Sequence, residues 1–151
     1  MILKTHIAGA KELRAVLLKL PDRARKRVIA SATRKGAQVV LAEVVAQAPV
    51  GTEPPDFQYG RLRDNIRVTA LKGNDADKAV FAVHNGRAYW ANFLEFGTRY
   101  MPARPFMRRA LEVSVPKALK TIGEALGKGI EKEAKTLAGP YGKARKLFGL
   151  K

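Results

Sequence analysis

The 151 residues contain no cysteine. Disulfides, thiolate metal sites and a cysteine nucleophile are therefore excluded, and assembly in a reducing cytosol is compatible with the composition. Histidine occurs twice, as His6 and His84, in unrelated surroundings. His84 ends an expected strand, where a structural or surface role fits better than a catalytic one. The 13 acidic residues show no paired arrangement of the kind that carboxylate catalysis or a metal needs. The chain has no His-Glu-x-x-His pair, no phosphate-cradling glycine loop ending in Lys-Ser/Thr and no Gly-x-Ser-x-Gly elbow. The expectation is a non-enzymatic protein without metal or cofactor. There is no apolar run of about 18 residues, so no membrane-spanning helix is expected. The segment Met1–Leu13 lacks the apolar stretch of a secretory signal. Aromatics make up 7%, and 13 glycines and 8 prolines are ordinary, which excludes collagen-like and low-complexity classes.

What the chain does have is apolar content and positive charge. The hydrophobic fraction is 46%, enough for one domain that buries roughly two-thirds of its unfolded surface. The expected organisation is a single domain over residues 1–138 and a basic, flexible tail over 139–151. Lys and Arg number 29 against 13 acids, a net charge of +16. The excess lies at the two ends: residues 1–40 carry 10 basic and 2 acidic side chains, and residues 117–151 carry 9 and 3. Residues 41–116, with 10 and 8, are nearly balanced. Basic flanks suit an anionic partner, and the candidates are Arg23, Arg25, Lys26 and Arg27 at one end and Lys143, Arg145 and Lys146 at the other. Four cations in the first turns of a helix are electrostatically poor. They either serve binding or simply face water.

The pattern of apolar residues gives an α+β fold. Leu13, Val16, Leu17 and Leu20 form one helical stripe, stopped by Pro21, with Asp22 able to cap the next helix. Helical spacing then runs from Arg23 to about Ala48. A loop follows to about Gly60. Ile66, Val68 and Ala70 alternate with Arg67, Thr69 and Leu71, and after a polar turn Ala79, Phe81 and Val83 alternate with Val80, Ala82 and His84, a second strand apolar on both faces. Two such strands imply a small antiparallel sheet, which is marginal alone and needs helices or neighbouring subunits to cover it. Tyr89, Phe93 and Phe96 fall on one face of a short helix that Gly97 would end. Pro105 suits the start of a long C-terminal helix, expected to break near Pro116, where Ser114 could cap the restart. Gly123, Gly127 and Gly129 weaken that helix, and favour close packing or flexibility until a partner arrives.

One stretch is distinctive. Leu94-Glu95-Phe96-Gly97-Thr98 is followed by Ala103-Arg104-Pro105-Phe106-Met107, and Gly60-Arg61-Leu62-Arg63-Asp64-Asn65-Ile66 lies upstream. In order and spacing, over residues 22–138, these resemble the tail-completion (neck) family of long-tailed bacteriophages. Two departures stand out: Asn65 where the family more often has Ser, and the loop Pro54–Tyr59, which looks inserted. On the residues alone, Gly97 permits a positive φ and Pro102 and Pro105 stiffen the loop. Phe96 and Phe106 could pin the two ends of that loop into one pocket, and a Glu95–Arg pair could fix it. The block is either an internal core turn or an interface.

The resemblance implies a structural virion protein at the junction of tail tube and head connector, assembled in the host cytoplasm. It implies a six-fold ring of self, contact with a tail terminator or tail-tube protein and with a head-completion or connector protein, sequence-blind contact with phage DNA, and no membrane. The subunit or partner interface then falls on Arg61, Leu62, Tyr89, Asn92, Glu95, Phe96, Gly97, Thr98, Pro102, Pro105 and Phe106. A free basic nucleic-acid-binding protein is the competing reading, although no recognised nucleic-acid-binding module is visible.

Overall fold

A row of small residues sets the architecture. Ala24, Val28, Ala32, Gly36, Val44 and Ala48 are buried along or just past helix α2 (Asp22–Gln47), stepping by four or multiples of four. The second long helix, α5 (Phe106–Leu137), answers with Phe106, Ala110, Ser114 and Ala118, then the half-buried Ile122, Leu126 and Ile130. Gly36 meets Ile122, Val28 meets Gly129 and Arg27 meets Glu133, so the two helices run antiparallel. At 3.6 residues per turn, a row stepping by four drifts about 40° around the axis at each step. One end of α2 therefore faces different elements from the other.

The computed structural model describes residues 10–50 and 61–137. The loop 51–60, the tail 139–151 with Lys143, Arg145 and Lys146, and His6 lie outside the described residues. Helix α1 (Ala10–Leu18) precedes α2. After the loop come a helical turn, α3 (Leu62–Asn65), and the strands β1 (Arg67–Ala70) and β2 (Phe81–His84). The strands pair antiparallel, from Arg67 opposite His84 to Ala70 opposite Phe81. Helix α4 (Ala91–Phe96) and a short loop lead into α5. The α+β class, the small sheet and the long C-terminal helix are as expected. The turn α3 was not, because Leu62–Asn65 reads as the run-in to a strand.

The core has two parts. The larger joins Val44 and Ala48 of the α2 end to Leu62, Ile66, Ala88, Ala91, Phe106 and Ala110, with Val83 of the sheet and Trp90 packed on it. The smaller holds only Leu20, Ala24 and Val28, with partly buried Leu17, Leu126 and Ile130. Both strands pack on α2, which supplies the cover a two-stranded sheet lacks.

Three local expectations change. Helix α5 does not break near Pro116, which lies inside one continuous helix. Pro116 cannot donate to the carbonyl of Glu112 and its ring crowds that carbonyl, together a cost of about 3 kcal/mol in a helix interior. Both residues are exposed, so water can reach that carbonyl, while Ser114 and Ala118 on either side are held against α2. Ser114 is consequently mid-helix, its hydroxyl donating to the Leu111 carbonyl rather than capping. Asp22 is the first residue of α2 rather than its cap, and its carboxylate pairs with Arg25.

Candidate functional site

Helix α5 begins without a capping side chain of its own, because Pro105 precedes it. Its free N–H groups are met from α4 instead. Glu95, 7% exposed, accepts from the Met107 N–H at 2.9 Å through Oε2 and from the Arg108 N–H at 3.1 Å through Oε1. A carboxylate at the positive end of a long helix satisfies donors and complements the dipole together. The expected Glu95–Arg ion pair is thus replaced by a bond to backbone. The C-terminus of α2 mirrors the arrangement with opposite charge. Arg63 reaches from α3 and donates to the Ala48 carbonyl at 2.8 and 3.0 Å and to that of Ala46 at 3.3 Å. The Gly-Arg-Leu-Arg motif contains Arg63, but the resemblance points to Arg61 and Leu62. Its spacing from α2 gives no hint of the cap.

Between α4 and α5 the chain makes a tight turn. Gly97 ends α4 with φ +76° and ψ 176°, a region open in practice only to glycine. A Cβ there would lie 2.8 Å from the Ala103 nitrogen and 2.9 Å from the Met101 carbonyl oxygen. Thr98 and Met101 then bridge, N–H to carbonyl in both directions, at 2.8 and 3.3 Å. Arg99 and Tyr100 form the tip. The Thr98 hydroxyl accepts from the Tyr100 N–H, and the Arg104 N–H ties the returning strand to the Leu94 carbonyl at 2.7 Å.

Phe96 and Phe106 do not share a pocket. Phe106 is 5% exposed in the larger core, whereas Phe96 is 69% exposed. Helix α4 starts at Ala91, so Tyr89 lies in the turn before it rather than on its face; Tyr89, Phe93 and Phe96 all turn outward, with Tyr89 and Phe93 edge to face at 6.2 Å. Orientation follows from the backbone: Ala91 and Glu95 occupy the inner face of α4, so residues 93 and 96 must take the outer one.

The remaining interface candidates fall on both sides of this divide. Leu62 is core, and Arg61 is exposed, its carbonyl accepting from the Asn65 amide. Asn92, Thr98 and Pro102 are exposed, and Pro105 is half-buried. The corner built by residues 89–106 is therefore partly internal and partly presented.

A family model described as "Bacteriophage HK97-gp10, putative tail-component" matches residues 11–97, more than half the chain. The chain belongs to the HK97-gp10-like family of phage tail components. No curated protein and no solved structure matches it. The family match takes in α1 to α4 and ends at Gly97, so the Ala-Arg-Pro-Phe-Met block and α5 lie beyond it. A tail component is a virion protein. Among the described residues, no helix of this one is long and apolar enough to cross a membrane.

The basic cluster of this tail component is less available than its sequence suggests. Arg25, only 12% exposed along its side chain, binds Asp22 at 2.9 Å and Asp77 at 2.8 Å, and donates to the Ala76 carbonyl. It fastens the turn after β1 to the start of α2. Arg27 pairs with the buried Glu133 and ties α2 to α5. Arg23 and Lys26 are exposed, and the Arg27 side chain stays 69% exposed despite its pair. His84 is engaged at both ring nitrogens: Nδ1 accepts from the Gly86 N–H at 3.0 Å, so Nε2 carries the hydrogen toward the Thr69 hydroxyl at 2.8 Å.

Proposed function

We propose that this tail component is a tail-completion (neck) subunit, forming a six-fold ring that joins the tail tube to the head connector. The observation that carries the reading is the union of its two motif blocks in one corner. Glu95 of the first block holds the first turn of the helix that the second block opens. The same corner presents Phe96 and Tyr100 to the outside. A subunit that joins two other assemblies needs that combination of a rigid frame and an apolar contact edge. The sheet gives further support, since among the described residues it stops at two strands of four residues.

The neighbours are a tail terminator or tail-tube protein on one side and a head-completion or connector protein on the other, met during assembly in the host cytoplasm. Any contact with DNA is sequence-blind and made through Arg23, Lys26 and the C-terminal cations. The two ion pairs of the largely buried Arg25 weigh against a free DNA-binding role. The role is structural rather than enzymatic, and the double engagement of His84 agrees with that.

Cells producing the phage without this chain test the reading. Filled heads and finished tails should accumulate unjoined in negative-stain images. Normally joined particles would overturn it.

A further inference from the structure

The cations of this chain are sorted by type. Between residues 87 and 109 every one is arginine: Arg87, Arg99, Arg104, Arg108 and Arg109. From residue 117 to 135, along α5, every one is lysine. Lysine ammonium groups are strongly hydrated and suit a solvated helix face. Arginine sheds water more readily, forks onto carboxylates and stacks on rings. Protein interfaces are correspondingly enriched in Arg, Tyr and Phe and depleted in Lys.

The arginine-rich region is also where large rings face outward. Phe96 is 69% and Tyr100 90% exposed, with Phe93 about half exposed beside them on α4. The Arg99 guanidinium lies over the Tyr100 ring, 5.9 Å from its centroid. This pair tops a turn fixed by the Gly97 backbone, the Thr98–Met101 bridge and two prolines. A ring held out by a rigid turn loses little conformational freedom on binding. The one acid between residues 87 and 109, Glu95, is buried and committed to α5, so nothing within the segment neutralises its arginines.

We propose that the Arg99–Tyr100 turn, with the Phe93–Phe96 edge of α4 and Arg104, docks onto an acidic, apolar-pocketed surface of a different protein of the same particle. Charge selects the occupant. A second copy offers this turn no exposed acid within residues 87–109, so packing of the turn against the same turn is opposed, and contacts between copies in a ring use other surfaces. Duplex DNA takes arginines at its phosphates but gives Phe93 and Phe96 no apolar surface to cover. An acidic protein face with a pocket answers both features. The inference rests on membership of the tail-component family and not on the neck position.

The test replaces Tyr100 with the photo-crosslinking residue p-benzoylphenylalanine in the full chain, in cells producing the phage. Assembled particles are irradiated and linked peptides identified by mass spectrometry. The expected link is to another virion protein, at a peptide rich in Asp and Glu. Combining Arg99→Glu with Arg104→Glu should lower the yield at least tenfold, and reversing the linked acids to Lys should restore it. Both arginines are exposed, so melting of the purified variant should match the parent and exclude misfolding. A link chiefly to a second copy, a link to DNA, no link, or a yield indifferent to charge reversal overturns the proposal. The neck reading has a separate outcome. A self-link with heads and tails still unjoined in the deletion sinks this inference alone. An acidic partner found in particles that join normally without the chain sinks the neck reading alone.

Discussion

The two ends of the α2–α5 pair are held by different means. At the end where α5 begins, five elements converge on a core containing Leu62, Ile66 and Phe106. Charged side chains there finish both long helices across the gap, Glu95 at the start of α5 and Arg63 at the end of α2. At the opposite end, three buried aliphatic residues and the Arg27–Glu133 pair join α1, α2 and α5. The first end is an anchored frame and carries the exposed rings. The second is a lightly packed arm faced with lysines. Rigidity and presented apolar surface sit together, which is the arrangement expected where a surface must be held ready for a partner.

The contrast is broken most directly in the cores. Phe106→Ala should cost about 3–5 kcal/mol in chemical denaturation, the range for a buried phenylalanine. Leu126→Ala in the arm is the comparison. Leu126 is only half-buried, so its loss should fall below the ~2 kcal/mol typical of the mildest buried leucine truncations. Equal losses at the two sites would mean that the arm is as firmly packed as the frame.

The arm was legible in the sequence and the frame largely was not. Leu17, Leu20, Val28, Leu126 and Ile130 announce themselves by helical spacing, and they pack as that spacing implies. In the frame, periodicity found α4 and its aromatic face but assigned no direction to it. Tyr89, Phe93 and Phe96 recur every three or four residues whether they face in or out. The deciding fact was that Ala91 and Glu95 form the inner face, a small residue and an acid. A buried glutamate breaks the rule that charges lie outside. It is explained only by two N–H groups at residues 107 and 108, which no local pattern reveals. Arg63 is the same case with opposite sign. Propensity likewise puts a break at Pro116, because it weighs the missing bond and not the packing of Ser114 and Ala118 around it.

Next in size is the cap itself. Glu95→Ala leaves the Met107 and Arg108 N–H groups without their acceptor in a partly buried site, a loss of about 1–3 kcal/mol. Glu95→Gln keeps one acceptor oxygen and should cost less. The loss should appear as faster amide hydrogen exchange in the first turn of α5, with exchange near Ile130 unchanged. Uniform acceleration along α5 would show that the two ends unfold as one unit.

Pro116→Ala probes the helix that links them. It restores a donor for the Glu112 carbonyl and removes the crowding of that carbonyl by the ring, together worth about 3 kcal/mol, and gives back about 0.4–1 kcal/mol of unfolded-chain entropy. A net gain near 2 kcal/mol is expected in thermal melting. No gain would mean that water at the Glu112 carbonyl already offsets the missing bond and that α5 carries the proline ring without strain.

The smallest effects come from the glycines of the arm and separate two reasons for having one. Gly129 is close to Val28: an added Cβ would meet its Cγ1 at 2.8 Å, inside normal contact. Gly123 and Gly127 would meet nothing within 4 Å. Among the described residues, their small size is not needed for packing. Gly123→Ala and Gly127→Ala should each stabilise the isolated protein by about 1 kcal/mol, the difference in helix propensity. Gly129→Ala begins with the same gain but must displace Val28, which belongs to the smaller core, so its net effect should be near zero or unfavourable. The three variants share a helix and a substitution, which leaves Val28 as the variable. Thermal melting of all three should give two rises and no third. If Gly129→Ala rises with the others, the arm yields to a methyl group without cost and is looser than its packing indicates. If none rises, helix propensity is not what limits this half of α5.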